Sequence, residues 1–288
     1  MRIWLMAARL RTLPAAIAPV LVGTALAGHD GEFDVFAFLA ALLGALFIQV
    51  GTNLSNDYSD ARRGADTEDR LGPVRVTAGG LVPPKQVLVA TYVTFGLAVL
   101  CGIYLIVKAG PVLLLIGAAS ILAGVLYTGG PRPYGYEGLG EVFVFLFFGV
   151  VAVTGSYFVQ VESLVWQAFV AAIPVGLIAS AILVVNNVRD LETDRRAGKK
   201  TLAVRMGRER TRVLYAAMLA LAYVALVPLV AGLSPWVLLP LITVPIALRL
   251  TAIVRRRTDG PSLNEALAGT GMLQLAFCVL LAGGMLLS

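Results

Sequence analysis

The sequence predicts an all-α, polytopic membrane protein, and three observations predict it. Of its 288 residues 58% are hydrophobic and only 14% charged, with a mean hydropathy of +0.85; a soluble domain is nearer ~25% charged. The apolar residues gather in runs of about 20, the length that crosses ~30 Å of hydrocarbon as a helix. The basic residues fall in short loops between those runs. The two cysteines, Cys101 and Cys278, both lie in apolar runs, so neither a disulfide framework nor a thiolate metal site is expected. The single His29 excludes a multi-histidine metal site. The net charge of +6 sits in loops at the ends of apolar runs, which argues for a lipid bilayer rather than nucleic acid as the partner.

Nine candidate spans follow in order: residues 10–28, 34–55, 86–108, 111–128, 139–159, 168–188, 209–230, 235–253 and 266–286. The first carries Pro14 and Pro19, and the eighth Pro240 and Pro245. Proline is tolerated in membrane helices because neighbours satisfy the freed carbonyls. Ala109-Gly110-Pro111 makes a tight turn between the third and fourth. The first apolar run continues into the fold, so no cleavable signal is expected. Nine crossings place 22 of the 23 Lys and Arg residues on one side and Lys108 alone on the other. By the positive-inside rule the basic side is cytoplasmic, with the N-terminus inside and the C-terminus outside the cell membrane. The expected organisation is one domain over residues 1–288, with nine helices and the basic side facing the cytoplasm. Four spans separate equivalent points at the ends of the second and sixth. That spacing is consistent with a duplicated four-helix unit plus one helix.

Two polar stretches interrupt this pattern, each directly after an apolar run. The first, from Gln49 to Gly80, carries Asn53, Asn56, Asp57, Asp60 and Asp66, with Arg70 and Arg75 behind them. The second begins at Asn186 and carries Asp190 and Asp194, with Arg189, Lys199 and Lys200. Asn53, Asn56, Asp57 and Asp60 are spaced by three and four and so share a helix face; Asp190 and Asp194 do the same. Carboxylate and amide oxygens suit Mg²⁺, which completes its shell with water and substrate phosphates. Polar groups at the ends of membrane helices are functional candidates, and cations beside them suit a phosphate. Arg132, in the loop between spans four and five, is a third candidate anion contact. Arg11, before Thr12-Leu13-Pro14, is a weaker candidate for the site, and Arg208, Arg210, Arg212, Arg255, Arg256 and Arg257 read as topology signals.

The runs GTNLSNDYSD, RLGPVRVTAGGL and NNVRDLETDRRAGKKTLAVRMG resemble those of the UbiA-type intramembrane prenyltransferases. More narrowly, they are similar to the branch that prenylates 1,4-dihydroxy-2-naphthoate in menaquinone synthesis. The resemblance runs from RLRTLPAAIAPVLVG to the ninth span. It implies nine helices around a cavity, two aspartate-rich motifs at its cytoplasmic mouth, and a polyprenyl diphosphate held through Mg²⁺, two ions in all. Of the pattern NDxxDxxxD, Asn56, Asp57 and Asp60 match, Gly64 stands at the last aspartate, and Asp66 is the nearest substitute. The pattern DxxxD matches at Asp190 and Asp194. The implied metal ligands are therefore Asn53, Asn56, Asp57, Asp60, Asp66, Asp190 and Asp194, with the aspartates Asp57, Asp60, Asp190 and Asp194 the catalytic set. The diphosphate would meet Arg70, Arg75, Arg132, Arg189, Lys199 and Lys200.

The mechanism the resemblance implies is departure of diphosphate to leave an allylic cation, attack by an electron-rich naphthoate ring, and loss of the ring's carboxylate. Aromatic faces stabilise such a cation, and Tyr58, Tyr127, Tyr134, Tyr136 and Phe143 are the candidates near the mouth. No general base stands out beyond Asp57 or Asp60. Two alternatives are carried: another acceptor, such as 4-hydroxybenzoate or homogentisate, and a cation-coupled transporter. Transport sites are expected near the midplane on broken helices, whereas these acids lie at span ends.

Overall fold

A computed structural model describes residues 2–65 and 71–288. The expected ligand Asp66 and the expected cation Arg70 lie outside the described residues. Every regular element among the described residues is helical. In lipid the backbone must satisfy its own hydrogen bonds, and a helix does so within one segment.

Helix α1 (Arg2–Ala8) ends where Arg9 takes a left-handed conformation, φ 53°. A single turn, Leu10–Thr12, leads to α2 (Pro14–His29), and Ile3–Thr12 is bent 49° from α2. Helix α3 (Val35–Arg62) and α4 (Pro84–Ala109) pack along each other, and α5 (Val112–Leu126) returns beside them. Helix α6 (Gly140–Val161) and the central helix α7 (Trp166–Arg196) follow. A short α8 (Leu202–Met206) precedes α9 (Arg208–Gly232), α10 (Pro235–Arg256) and α11 (Gly260–Leu286). Proline in the first turn of α2, α4, α10 and α11 is placed where its missing N–H has no helical partner to lose.

Seven of these helices are long and apolar enough to cross a membrane, and the bent N-terminal pair makes an eighth. The fourth expected span is α5, whose 15 residues reach about 22 Å at ~1.5 Å per residue. That is shorter than the hydrocarbon core, because the chain leaves the helix at Tyr127 and turns into a loop at the cavity mouth. The structure thus supports seven or eight spans, and a ninth turns on α5.

The main core forms around α7, where Val175, Ile178, Ala181, Val184, Val185 and Val188 are buried against α2, α9 and α11. Helix α6 lies against α7 through Gly149 and Gly176. A Cβ on Gly149 would stand 2.7 Å from the Gly176 Cα, so only glycine permits this approach. Around Gly149, residues Phe145–Val151 wind as a π-helix, a local widening often found at functional sites.

At the end of α3 opposite the acidic cluster, Asp34 caps the helix by accepting from the Phe36 and Ala37 amides. Its second oxygen meets the Lys108 ammonium at 2.6 Å, and this hydrogen bond holds the Asp34 carboxyl below the usual carboxylate range. Lys108 is therefore paired. Gln160 accepts from the Asp34 amide at 2.6 Å, and Tyr157 donates to Asp30 at 2.5 Å. Together these contacts tie α3, α4 and α6 at that end.

Candidate active site at the polar end of the cavity

Asn53 to Asp60 and Asn186 to Asp194 lie in the last turns of α3 and α7, so these polar residues extend the helices. A cavity of about 530 Å³ lies between the two helix ends, with α5, α6 and the 134–136 turn closing its sides. Its lower wall is apolar, from Ala45, Ile48, Ile103, Ile116, Phe148 and Val151. Its polar end holds Asn53, Asn56 and Asp60 from α3 and Asn186, Asn187, Asp190 and Asp194 from α7. Arg9, Arg75 and Lys199 reach the same wall.

Asp60 is 1% exposed. It accepts from the Tyr136 hydroxyl at 2.5 Å and pairs with Arg75 at 3.2 Å. Asp190 takes both the Nε and Nη2 of its neighbour Arg189, at 2.8 and 2.6 Å. Asp194 lies 3.6 Å from Lys199, whose ammonium stands 4.7 Å over the Tyr136 ring. Each wall aspartate thus already faces a cation. Asn56 accepts from Thr128. Asn53 donates to the Ala8 carbonyl and to Thr12, which holds the N-terminal break over the cavity.

Several expected site residues sit elsewhere. Asp57 faces away from the cavity: its two oxygens accept from the Val76 and Thr77 amides, at 3.1 and 2.9 Å. It fastens the 74–82 segment, and thereby Arg75, to α3. Arg189 is buried behind the wall, where Asp190, Asn186 and Asn264 engage its guanidinium. Lys200 is exposed and off the wall. Arg132 is 82% exposed and pairs with Glu137 at 3.5 Å. Tyr58 lies off the wall beneath Arg62.

The other four aromatics line the cavity, and Tyr127, Tyr134 and Phe143 form a connected row with Phe147. Tyr134 stacks on Phe143 with centroids 4.0 Å apart, Tyr127 meets Tyr134 edge-on at 5.5 Å, and Phe147 continues the row at 6.2 Å from Phe143. Burial raises the Tyr134 phenol well above its ordinary range, and its hydroxyl donates to the Ala123 carbonyl.

Sequence reading missed Arg9, Asn187 and Glu141. Arg9 and Asn187 line the wall; Glu141 is buried behind it and accepts from Asn187. The one signal for Asn187 was a second asparagine inside an apolar run. Arg9 read as a topology signal, and nothing in the sequence singled out Glu141.

The oxygen-only donor set of Asp60, Asp190, Asp194, Asn53 and Asn56 fits Mg²⁺. Among the described residues no three acidic, His or Cys groups gather as a ready metal site, so an ion here would need oxygens from a bound diphosphate or water.

The model of the UbiA prenyltransferase family matches residues 16–285. The 1,4-dihydroxy-2-naphthoate octaprenyltransferase of Mycobacterium tuberculosis is 42% identical, over 98% of this chain and 96% of its own. The Escherichia coli enzyme of the same name is 38% identical, over 95% and 93%. Among solved structures, a UbiA homologue from Aeropyrum pernix shares the fold with a TM-score of 0.73 at 14% identity, over 96% and 97% of the two chains. One from Archaeoglobus fulgidus, bound to GPP and Mg²⁺, has a TM-score of 0.67 at 13% identity, over 97% and 99%.

Proposed function

This chain belongs to the UbiA prenyltransferase family, and on that premise we propose that it transfers a polyprenyl chain from its diphosphate to 1,4-dihydroxy-2-naphthoate. The ring loses its carboxylate as CO₂, and the product is the quinol form of demethylmenaquinone. Relatives bearing this activity in their names range from 34% to 42% identity across several bacteria. The observation that carries the reading is the convergence of Asp60, Asp190 and Asp194 with Arg75 and Lys199 on one end of a cavity that is otherwise apolar. An anionic head and a long hydrocarbon tail need that division.

Asp60, Asp190 and Asp194 would hold Mg²⁺, one ion at each helix end, and bound Mg²⁺ neutralises the charge that grows on the departing diphosphate. Arg75 and Lys199 stand on the same wall and would stabilise that charge electrostatically. The apolar wall keeps water from the allylic cation. Tyr127, Tyr134 and Phe143 offer π faces beside it. The aspartate end is cytoplasmic in this reading, in the cell membrane of a bacterium, because the basic residues of α3, α7 and the loops between them share that side.

The test is turnover in detergent by the purified protein with a polyprenyl diphosphate, Mg²⁺ and 1,4-dihydroxy-2-naphthoate, with the product identified by mass. The expected product is the decarboxylated, prenylated naphthoquinol. Prenylation of 4-hydroxybenzoate or homogentisate instead would reassign the acceptor. EDTA should stop turnover and Mg²⁺ restore it.

A further inference from the structure

Glu141 is a buried acid for which the diphosphate chemistry has no use. It stands in the first turn of α6, 4% exposed, and one carboxylate oxygen, Oε2, has no hydrogen-bond partner among the described residues. The other, Oε1, accepts from the Asn187 amide nitrogen at 2.8 Å. Asn187 is on the cavity wall and Glu141 lies behind it. Leaving a buried carboxylate oxygen unpaired is costly. A structural link between α6 and α7 would not require it, since Ser180 already donates to the Glu141 carbonyl and Gly149 meets Gly176.

We propose that Asn187 is the polar contact for the aromatic acceptor, taking a ring hydroxyl on its amide oxygen, and that Glu141 is the positioning residue that turns the amide that way. An amide presents donor and acceptor on opposite branches. The Glu141 oxygen takes the donor branch and leaves the acceptor branch for the cavity. The site is therefore selective for a hydroxylated ring over one whose oxygen cannot donate.

Its depth agrees with the reaction. Asn187 precedes Asp190 by three residues on the same face of α7, about 4.5 Å deeper at ~1.5 Å per residue. A hydroxyl held by Asn187 lies one turn below a diphosphate held at Asp190, which puts the ring beside the carbon that loses the diphosphate. Tyr127 supplies a flat neighbour: a Cβ on Gly140 would stand 3.3 Å from its ring, so Gly140 lets that ring lie against the start of α6.

This inference rests on the proposed function for the acceptor's chemistry, and its test separates the two. KM for the acceptor and KM for the polyprenyl diphosphate are measured for wild type, Glu141→Leu, Glu141→Gln and Asn187→Ala. The acceptors are 1,4-dihydroxy-2-naphthoate and its two monomethyl ethers. Glu141→Leu should raise the acceptor KM by about tenfold or more and leave the diphosphate KM within about twofold, the loss of one hydrogen bond to substrate. Glu141→Gln, whose amide oxygen still accepts from Asn187, should recover most of the acceptor affinity. Asn187→Ala should lose the preference of wild type for the diol over one of the ethers. An unchanged acceptor KM in Glu141→Leu, or equal rises in both KM values, would overturn the proposal. If Glu141→Leu does not fold, the ether preference of Asn187→Ala decides alone, and its persistence overturns the proposal. Should wild type use a different hydroxylated aromatic, the proposed function fails, and the same variants on that acceptor still decide the roles of Asn187 and Glu141.

Discussion

The Tyr136 hydroxyl donates to Asp60 at 2.5 Å although the two residues are 76 positions apart. The ring of the same tyrosine carries Lys199 at 4.7 Å, and Lys199 pairs with Asp194. One side chain thus connects both acidic helix ends. Tyr136→Phe keeps the ring under Lys199 and removes only the bond to Asp60. Turnover should fall by about tenfold, the equivalent of one charged hydrogen bond at ~1.5 kcal/mol, with melting temperature little changed. Steady-state rates beside a thermal melt in detergent check it.

Asp60→Ala and Asp190→Ala should each lose turnover by at least about a hundredfold, several kcal/mol of transition-state stabilisation, while the protein still inserts. Near-normal rates at saturating Mg²⁺ in either variant would remove the metal role from that helix end.

Asp57 should behave differently from Asp60. Asp57→Ala strands the Val76 and Thr77 amides, each costing ~1–3 kcal/mol if left unsatisfied. The expected result is a lowered melting temperature together with lost activity. Asp60→Asn should lose activity with stability nearly intact. Equal melts for Asp57→Ala and wild type would mean that the 74–82 segment is held by other contacts.

The cations divide by position rather than by sequence neighbourhood. Arg75→Gln and Lys199→Gln, both on the cavity wall, should raise KM for the diphosphate by about tenfold to a hundredfold, ~1.5–3 kcal/mol for a charged hydrogen bond. Lys200→Gln, Arg132→Gln and Arg256→Gln should not. Arg189→Gln should mainly destabilise, because it leaves Asp190 and Asn264 without their buried partner. Wild-type diphosphate KM values in both wall variants would leave the anion to metal alone.

The C-terminus reports on α5. If that helix crosses the membrane and the N-terminus is cytoplasmic, a reporter fused after Ser288 lies outside. Cytoplasmic activity from the fusion would mean that α5 stays on one side and the crossings are eight.

The apolar runs were legible because lipid imposes a local rule: each span must satisfy its own backbone and be apolar along its length. The two acidic stretches were legible for the same reason, since polar residues at spacings of three and four are costly in a span and their pattern is one-dimensional. Helical spacing puts Asp57 and Asp60 three residues apart on neighbouring positions of one face. The sequence by itself therefore could not say that the 74–82 segment folds back to claim Asp57 and leaves Asp60 to the cavity. Nor could it say that Arg189 turns sideways onto Asp190 while Arg75 and Lys199 reach the wall. Arginine and lysine look alike as loop charges, and only the packing of α3, α6 and α7 decides which guanidinium is buried among protein partners and which faces the space. Glu141 was invisible for the same cause. Its neighbours in sequence are glycine, leucine and valine, and its partner Asn187 is 46 positions away, brought to it by a helix contact that glycine alone permits.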